Sequence, residues 1–276
     1  MAVNQGKVFM SINMDYKNLL AEKRDDYILL TLNRPDKLNA LNEEVLNELK
    51  SFFSQLGQQA DFEIKGVVFT GAGEKSFIAG ADIAAMSEMD TKAAEEFATL
   101  GQEVTLLMEN LKVPVIAAVN GFALGGGCEM AMGCDFIFAT ENALFGQPEV
   151  KLGLLPGFGG TQRLSRIVGR NRAKELIYTG RNFNVNEAKD IGLVLNIYEN
   201  KEALLEASFA TLKAISKNSP LAVSACKRVM NEGNDLTVEE GLRCEVKFFS
   251  KIFSSEDKKE GTTAFVEKRK PVFKGK

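Results

Sequence analysis

Histidine and tryptophan are absent from this 276-residue chain, and cysteine (4), tyrosine (4) and proline (6) are sparse. Each absence removes a class of chemistry. Without imidazole there is no Ser-His-Asp or Cys-His nucleophile, and no metal site that depends on histidine ligands. Acid–base work near neutral pH then falls to carboxylates, lysines, tyrosines or cysteines. With so few large polar aromatics, the stacking platform of a sugar cleft is missing as well. That argues against a two-carboxylate glycosidase.

The four cysteines (Cys128, Cys134, Cys226 and Cys244) are scattered, which fits reduced thiols in a cytoplasmic protein better than a disulfide framework. Cys128 and Cys134 have no second Cys or His pair to complete a zinc site, and burial is expected for both. No apolar run reaches the roughly 18 residues of a membrane span. Residues 1–13 lack the apolar stretch of a signal peptide and read as a disordered N-terminal extension, with Met14 an alternative start. The balance of 34 basic and 37 acidic residues gives a net charge of −3, so no general affinity for nucleic acid is expected. The basic stretch Lys258–Lys276 is interrupted by acidic residues and reads as a solvated or interface helix.

What is present is an alternation of strand and helix signals. Tyr27-Ile-Leu-Leu-Thr-Leu32, Gly66-Val-Val-Phe-Thr70 and Val115-Ile-Ala-Ala-Val119 predict strands, the last of them buried on both faces. Asn42 is placed to cap a helix with apolar positions Val45, Leu46, Leu49, Phe52, Phe53 and Leu56 on one face. Asp90 opens another through Phe97, Leu100, Val104, Leu107 and Leu111. Strand and helix signals alternate further through 136–139, 160–168 and 194–198. The pattern predicts an α/β fold with β-α units around a largely parallel sheet over residues 14–200. Helical signals then dominate residues 201–276, at about 201–217, 220–232, 236–250 and 255–268.

Two glutamates stand out against this background. Glu129 closes the run Asn120-Gly-Phe-Ala-Leu-Gly-Gly-Gly-Cys-Glu129, among apolar neighbours that leave no evident solvated face. Glu149 ends Phe145-Gly-Gln-Pro-Glu149, just before Leu155-Pro-Gly-Phe-Gly-Gly-Thr161. Glycines between a buried strand and a helix let a ligand approach main-chain N–H groups, and a helix N-terminus favours developing negative charge. The same triplet also suits a tight, closely packed turn. It lacks the Gly-Lys-Ser/Thr ending of a Walker loop, which excludes that kind of phosphate site. Ala79-Gly-Ala-Asp82 is a further small-residue segment able to supply a main-chain donor. Two carboxylates in such settings suit general acid–base chemistry if burial separates their pKa values.

Ala79-Gly-Ala-Asp-Ile83, Pro114-Val-Ile-Ala-Ala-Val-Asn-Gly121, Gly125-Gly-Gly-Cys-Glu129, Phe145-Gly-Gln-Pro-Glu149 and Pro156-Gly-Phe-Gly-Gly-Thr-Gln-Arg163 together resemble the enoyl-CoA hydratase (crotonase) family. The similarity runs in order from about Tyr16 to Ala264-Phe-Val-Glu-Lys-Arg269, and the short-chain bacterial members are most alike. The resemblance implies a spiral of ββα units with a helical C-terminal region that assembles trimers, two of which stack into a hexamer. It implies hydration of a 2-enoyl-CoA to a (3S)-3-hydroxyacyl-CoA, with no metal and no cofactor apart from the coenzyme A of the substrate. The thioester carbonyl would lie between the backbone N–H groups of Ala81 and Gly126. Glu129 would activate water, and protonated Glu149 would deliver a proton to the α-carbon.

The resemblance also implies coenzyme A or substrate contacts at Lys37, Ala40, Ala79, Ala81, Asp82, Ile83, Ala84, Gly125, Gly126, Pro148 and Gly157. Phe265 and Lys268 would close a neighbouring subunit's site, and Met86–Leu100 would line the acyl pocket. Isomerase relatives typically need one carboxylate here, so the intact pair favours hydration. Isomerisation within the same fold, and a non-catalytic acyl-CoA or RNA-binding relative, are the alternatives. Fatty-acid breakdown and a fermentative butyrate route are both open.

Overall fold

A computed structural model describes residues 14–276, and the N-terminal extension expected over 1–13 lies outside them. Among the described residues, ten strands form two sheets. They are β1 (Leu19–Arg24), β2 (Tyr27–Leu32), β3 (Gly66–Gly71), β4 (Ser76–Ile78), β5 (Val115–Val119), β6 (Phe122–Leu124), β7 (Phe136–Thr140), β8 (Leu144–Gly146), β9 (Asn182–Asn184) and β10 (Asn196–Tyr198). One sheet has the order β1-β2-β3-β5-β7-β10 and the other β4-β6-β8-β9. The β1–β2 and β8–β9 pairs are antiparallel, and the rest are parallel.

The order of the strands makes the spiral. In β3–β4, β5–β6 and β7–β8 the first strand joins the larger sheet and the second the smaller, before helices lead to the next pair. Successive units therefore stack in register, as β-α repeats around parallel sheets require. The strand expected over 194–198 begins at Asn196, and β1, β4, β6, β8 and β9 are strands that the hydrophobic pattern did not announce.

Both faces of the larger sheet are covered. Ile28, Leu30, Val67, Phe69, Val115, Ala117 and Val119 enter the main core, while Tyr27, Leu29, Val68, Ile116 and Ala118 alternate onto the opposite face. That period of two explains why these strands read as continuous apolar runs. Helix Glu43–Gly57 is capped by Asn42, whose side chain accepts from Val45 N at 2.9 Å, and all six expected apolar positions are buried. Asp90 caps helix Thr91–Glu109, which buries Phe97 and Val104.

The four helices of the C-terminal stretch are Lys201–Ile215, Pro220–Gly233, Val238–Ile252 and Glu256–Val266. The first of these lays Leu204 and Leu212 on the outer face of the larger sheet, so core packing continues past residue 200. No residue of the next two is fully buried as a whole. A staple ties Pro220–Gly233 to the core: Lys227 Nζ meets Asp135 Oδ2 at 2.8 Å and donates to Met108 O and Val113 O. No helix among the described residues is long and apolar enough to cross a membrane.

Candidate active site

Three parallel strands of the smaller sheet end side by side, and each releases one of the candidate segments. β4 runs into Ala79–Ala84, β6 into Gly125–Glu129 and β8 into Gln147–Glu149. Ligand sites of parallel sheets form outside the carboxyl ends of the strands, and this edge obeys that rule. The β6–β8 pairing sets Leu124 opposite Gly146, and Gly125 N donates to Gly146 O at 2.9 Å. Glu149 is thereby brought beside Gly125, although twenty-four residues separate the two. Gly125 has φ +50, and a Cβ there would lie 2.6 Å from Glu149 Oε1. Only glycine allows both the backbone angle and the approach.

The helix Gly126–Met132 is buried along its whole length, and Glu129 with it at 1% exposure. A carboxylate so placed needs hydrogen-bond partners. They come from the segment leading into helix Gly160–Val168: Phe158 N and Gly160 N donate to Glu129 Oε1 at 2.8 and 2.6 Å. Burial pushes the Glu129 pKa up to about 7 and Glu149 adds to the rise, while the two N–H groups and Arg163 oppose it. Glu149 opens the short 3₁₀ turn Pro148–Leu152, is half-buried, and is also raised to about 7 by desolvation. Buried Gln147 lies beside both carboxylates. With its amide nitrogen turned to Glu149 it donates to Oε1 and Oε2 at 3.3 Å each.

The other two segments meet around Leu41. Leu41 N donates to Gly80 O and Asp82 N to Leu41 O, both at 2.8 Å, which leaves Ala81 N facing the other way. Leu41 also touches the space above Gly126, and Gly127 is so close to Ile78 O that a Cβ would clash. Among the described residues, neither Ala81 N nor Gly126 N has an acceptor. Gly126 is the first residue of its helix, where an N–H is left over by geometry. Two spare donors next to two carboxylates of raised pKa can bind an oxyanion and move protons.

The chain belongs to the enoyl-CoA hydratase/isomerase family. The family described as enoyl-CoA hydratase/isomerase matches residues 22–276. A short-chain-enoyl-CoA hydratase of Clostridium acetobutylicum is 48% identical over 93% of this chain and 97% of its own. A crotonyl-CoA hydratase of Syntrophomonas wolfei is 47% identical over 94% of this chain and 99% of its own. An enoyl-CoA hydratase of Bacillus anthracis shares the fold at a TM-score of 0.89, with 37% identity over 94% of this chain and 100% of that one. The ββα spiral is the fold of this family.

The remaining expected contacts fall in two places. Lys37 and Ala40 border a loop that docks on Ala79–Asp82, through Ala79 N to Leu38 O at 3.1 Å and an Arg34–Asp82 pair at 3.8 Å. Lys37 is exposed, as are Ile83 and Ala84 on the short helix that follows. Pro148 and Gly157 flank the carboxylates from the other side, where Gly157 O accepts from Gln102 Nε2 at 2.8 Å. Met86 and Met89 are partly buried against the core. Phe265 is 84% exposed, far from complete burial in its own chain. Cys128 is fully buried, its thiol pushed up to about 12 by desolvation, whereas Cys134 follows the helix and is only partly covered in its own chain.

Sequence reasoning missed the groups that hold Glu129. Phe158 and Gly160 act through main-chain N–H groups, which no residue type announces. The one available signal was the glycine run at 157–160, where Gly159 takes φ +107 to turn both N–H groups inward.

Proposed function

We propose that this protein is a short-chain 2-enoyl-CoA hydratase, adding water reversibly and syn across the trans double bond to give a (3S)-3-hydroxyacyl-CoA. The observation that carries the reading is the pair of buried Glu129 and half-buried Glu149 beside the spare N–H of Gly126. The names of the relatives at 47–48% identity support the short-chain assignment.

The thioester oxygen sits between Ala81 N–H and Gly126 N–H. Attack at the β-carbon pushes charge onto that oxygen, so the donors act most strongly in the enolate-like transition state, each worth on the order of 10²–10³ in rate. Glu129 accepts two main-chain N–H bonds, which favour its ionised form, and it takes a proton from water. Glu149 has weaker support for its charge, the Gln147 amide at 3.3 Å and its own main-chain N–H, and carries the proton that goes to the α-carbon. This assistance is worth roughly 10²–10⁴. The coenzyme A arm runs along Lys37–Ala40 and Ala79–Ala84, and the reaction calls for no other cofactor.

The exposed apolar side chains of the C-terminal helices, among them Val238, Leu242, Val246, Phe249 and Phe253, belong to a homotrimer contact, with two trimers in a hexamer. The protein works in the cytoplasm, in fatty-acid or butyrate metabolism. Mixing it with crotonyl-CoA should bleach the conjugated enoyl-thioester absorbance. No loss with folded protein sinks the reading, and a product that has gained no water would point to isomerisation instead.

A further inference from the structure

The turn that holds Glu129 is itself held from behind. Arg163, on helix Gly160–Val168, reaches Glu109 with both arms of its fork, Nε to Oε1 at 2.6 Å and Nη2 to Oε2 at 2.9 Å. Its remaining nitrogen, Nη1, donates to Phe158 O at 3.0 Å. Phe158 is thus tied at both ends of its backbone, its O to Arg163 and its N–H to Glu129. The space between is reserved for the guanidinium, because any Cβ on Gly159 would run into Nη1. The Phe158 ring is fixed as well. It packs edge-on against Phe97 at 5.3 Å and fills the place a Cβ on Gly101 would take.

We propose that the Arg163–Glu109 pair is a positioning device for Glu129. It pins the Phe158–Gly160 backbone so that two N–H groups converge on one carboxylate oxygen, and it sets the rate of water activation without touching substrate. The consequence for rate rests on the hydratase reading above. Arginine suits the task because its planar fork satisfies two carboxylate oxygens and a carbonyl together, which a lysine ammonium at the end of a flexible stem does not. The Lys227–Asp135 pair nearby offers the contrast. It is as well buried and as well bonded, yet it holds the chain at Met108 and Val113 and makes no bond to the Phe158–Gly160 backbone.

The test compares Arg163→Met, Arg163→Lys, Glu109→Gln and Lys227→Met in the full-length protein. Small misplacements of a catalytic group cost on the order of 100-fold. Arg163→Met should therefore lower kcat for crotonyl-CoA by about 10- to 100-fold, with KM within about threefold. Arg163→Lys should not restore it. The acid limb of the pH profile should move upward, since ionised Glu129 loses a nearby positive charge while Glu149 still faces it. Lys227→Met should lower Tm and leave both kcat and the limb in place. If Arg163→Met does not fold, Glu109→Gln should lower kcat several-fold without raising the acid limb, because Arg163 keeps its charge. A folded Arg163→Met or Glu109→Gln variant with wild-type kcat overturns the proposal. The Glu129 carboxyl band, followed by infrared in ¹³C-glutamate-labelled protein and assigned with Glu129→Gln, gives an answer independent of turnover. It should titrate at higher pH in Arg163→Met, and an unmoved titration refutes the brace. Absence of hydration in the wild type would instead remove only the hydratase reading.

Discussion

The helix Gly126–Met132 and the turn Pro148–Leu152 each carry one glutamate, and they treat it differently. On the helix, Glu129 is closed off from solvent and held by two main-chain N–H groups from a third segment. On the turn, Glu149 is half-buried, lies against Gly125 and meets the amide of Gln147 and its own main-chain N–H. Both pKa values rise to about 7 because burial disfavours the charge. Equal pKa values do not mean equal roles. Glu129 holds the shorter hydrogen bonds to its ionised form, 2.8 and 2.6 Å from two main-chain N–H groups against 3.3 Å from the Gln147 amide to Glu149. A proton shared by the pair therefore resides on Glu149. The two sides of the site form a base and an acid from the same residue type.

The two sides can be broken one at a time. The largest effects are expected from Glu129→Gln and Glu149→Gln, each cutting kcat by roughly 10²–10⁴ with crotonyl-CoA binding little changed. Steady-state rates and a binding titration check this, and a variant that keeps most of its activity removes that carboxylate from the mechanism. Next come the glycines behind each side. Gly125→Ala places a Cβ 2.6 Å from Glu149 Oε1 at a φ of +50, and Gly160→Ala places one 2.9 Å from Glu129 Oε1. Both should lower kcat by about 10- to 100-fold, the first through the acid and the second through the base.

A smaller and more diagnostic effect is the pH profile. The rate should fall at low pH as Glu129 is protonated and at high pH as Glu149 ionises, giving a bell centred near 7 whose limbs belong to the coupled pair. A flat profile between about pH 6 and 8 would contradict the pairing. The smallest effect is on stability. Both folded pKa values lie above the ordinary 4.5, so between about 4.5 and 7 the folded state binds more protons than the unfolded state. Stability therefore falls as pH rises through that window, and stays lowered above it. Glu129→Gln should raise Tm by a few degrees at about pH 8 and leave it nearly unchanged at about pH 4. Thermal melts at the two pH values check the sign.

Much of this is legible in the chain itself. Periodicity and caps mark helices 43–57 and 91–109, because both lay a long apolar face on the core. The long inner strands announce themselves as unbroken apolar runs. The three-residue strands β4, β6 and β8 do not, since so short a segment shows no period and exists only through its non-local partners. They are the strands that deliver the site. The glutamates can be picked out because the chain has no histidine to compete with them. Their supports cannot. Arg163 and Glu109 are 54 residues apart, and the donors to Glu129 are main-chain groups. Nor does the helical composition after residue 200 reveal that helix Lys201–Ile215 belongs to the core while the next two leave their apolar sides uncovered in their own chain.

The fate of crotonyl-CoA in deuterated water tests the paired-carboxylate mechanism most directly. Product analysis by mass and NMR should find one hydroxyl at the β-carbon and one deuterium at the α-carbon, added to the same face. A product with a moved double bond and no added water, or unchanged crotonyl-CoA in the presence of folded protein, would contradict it.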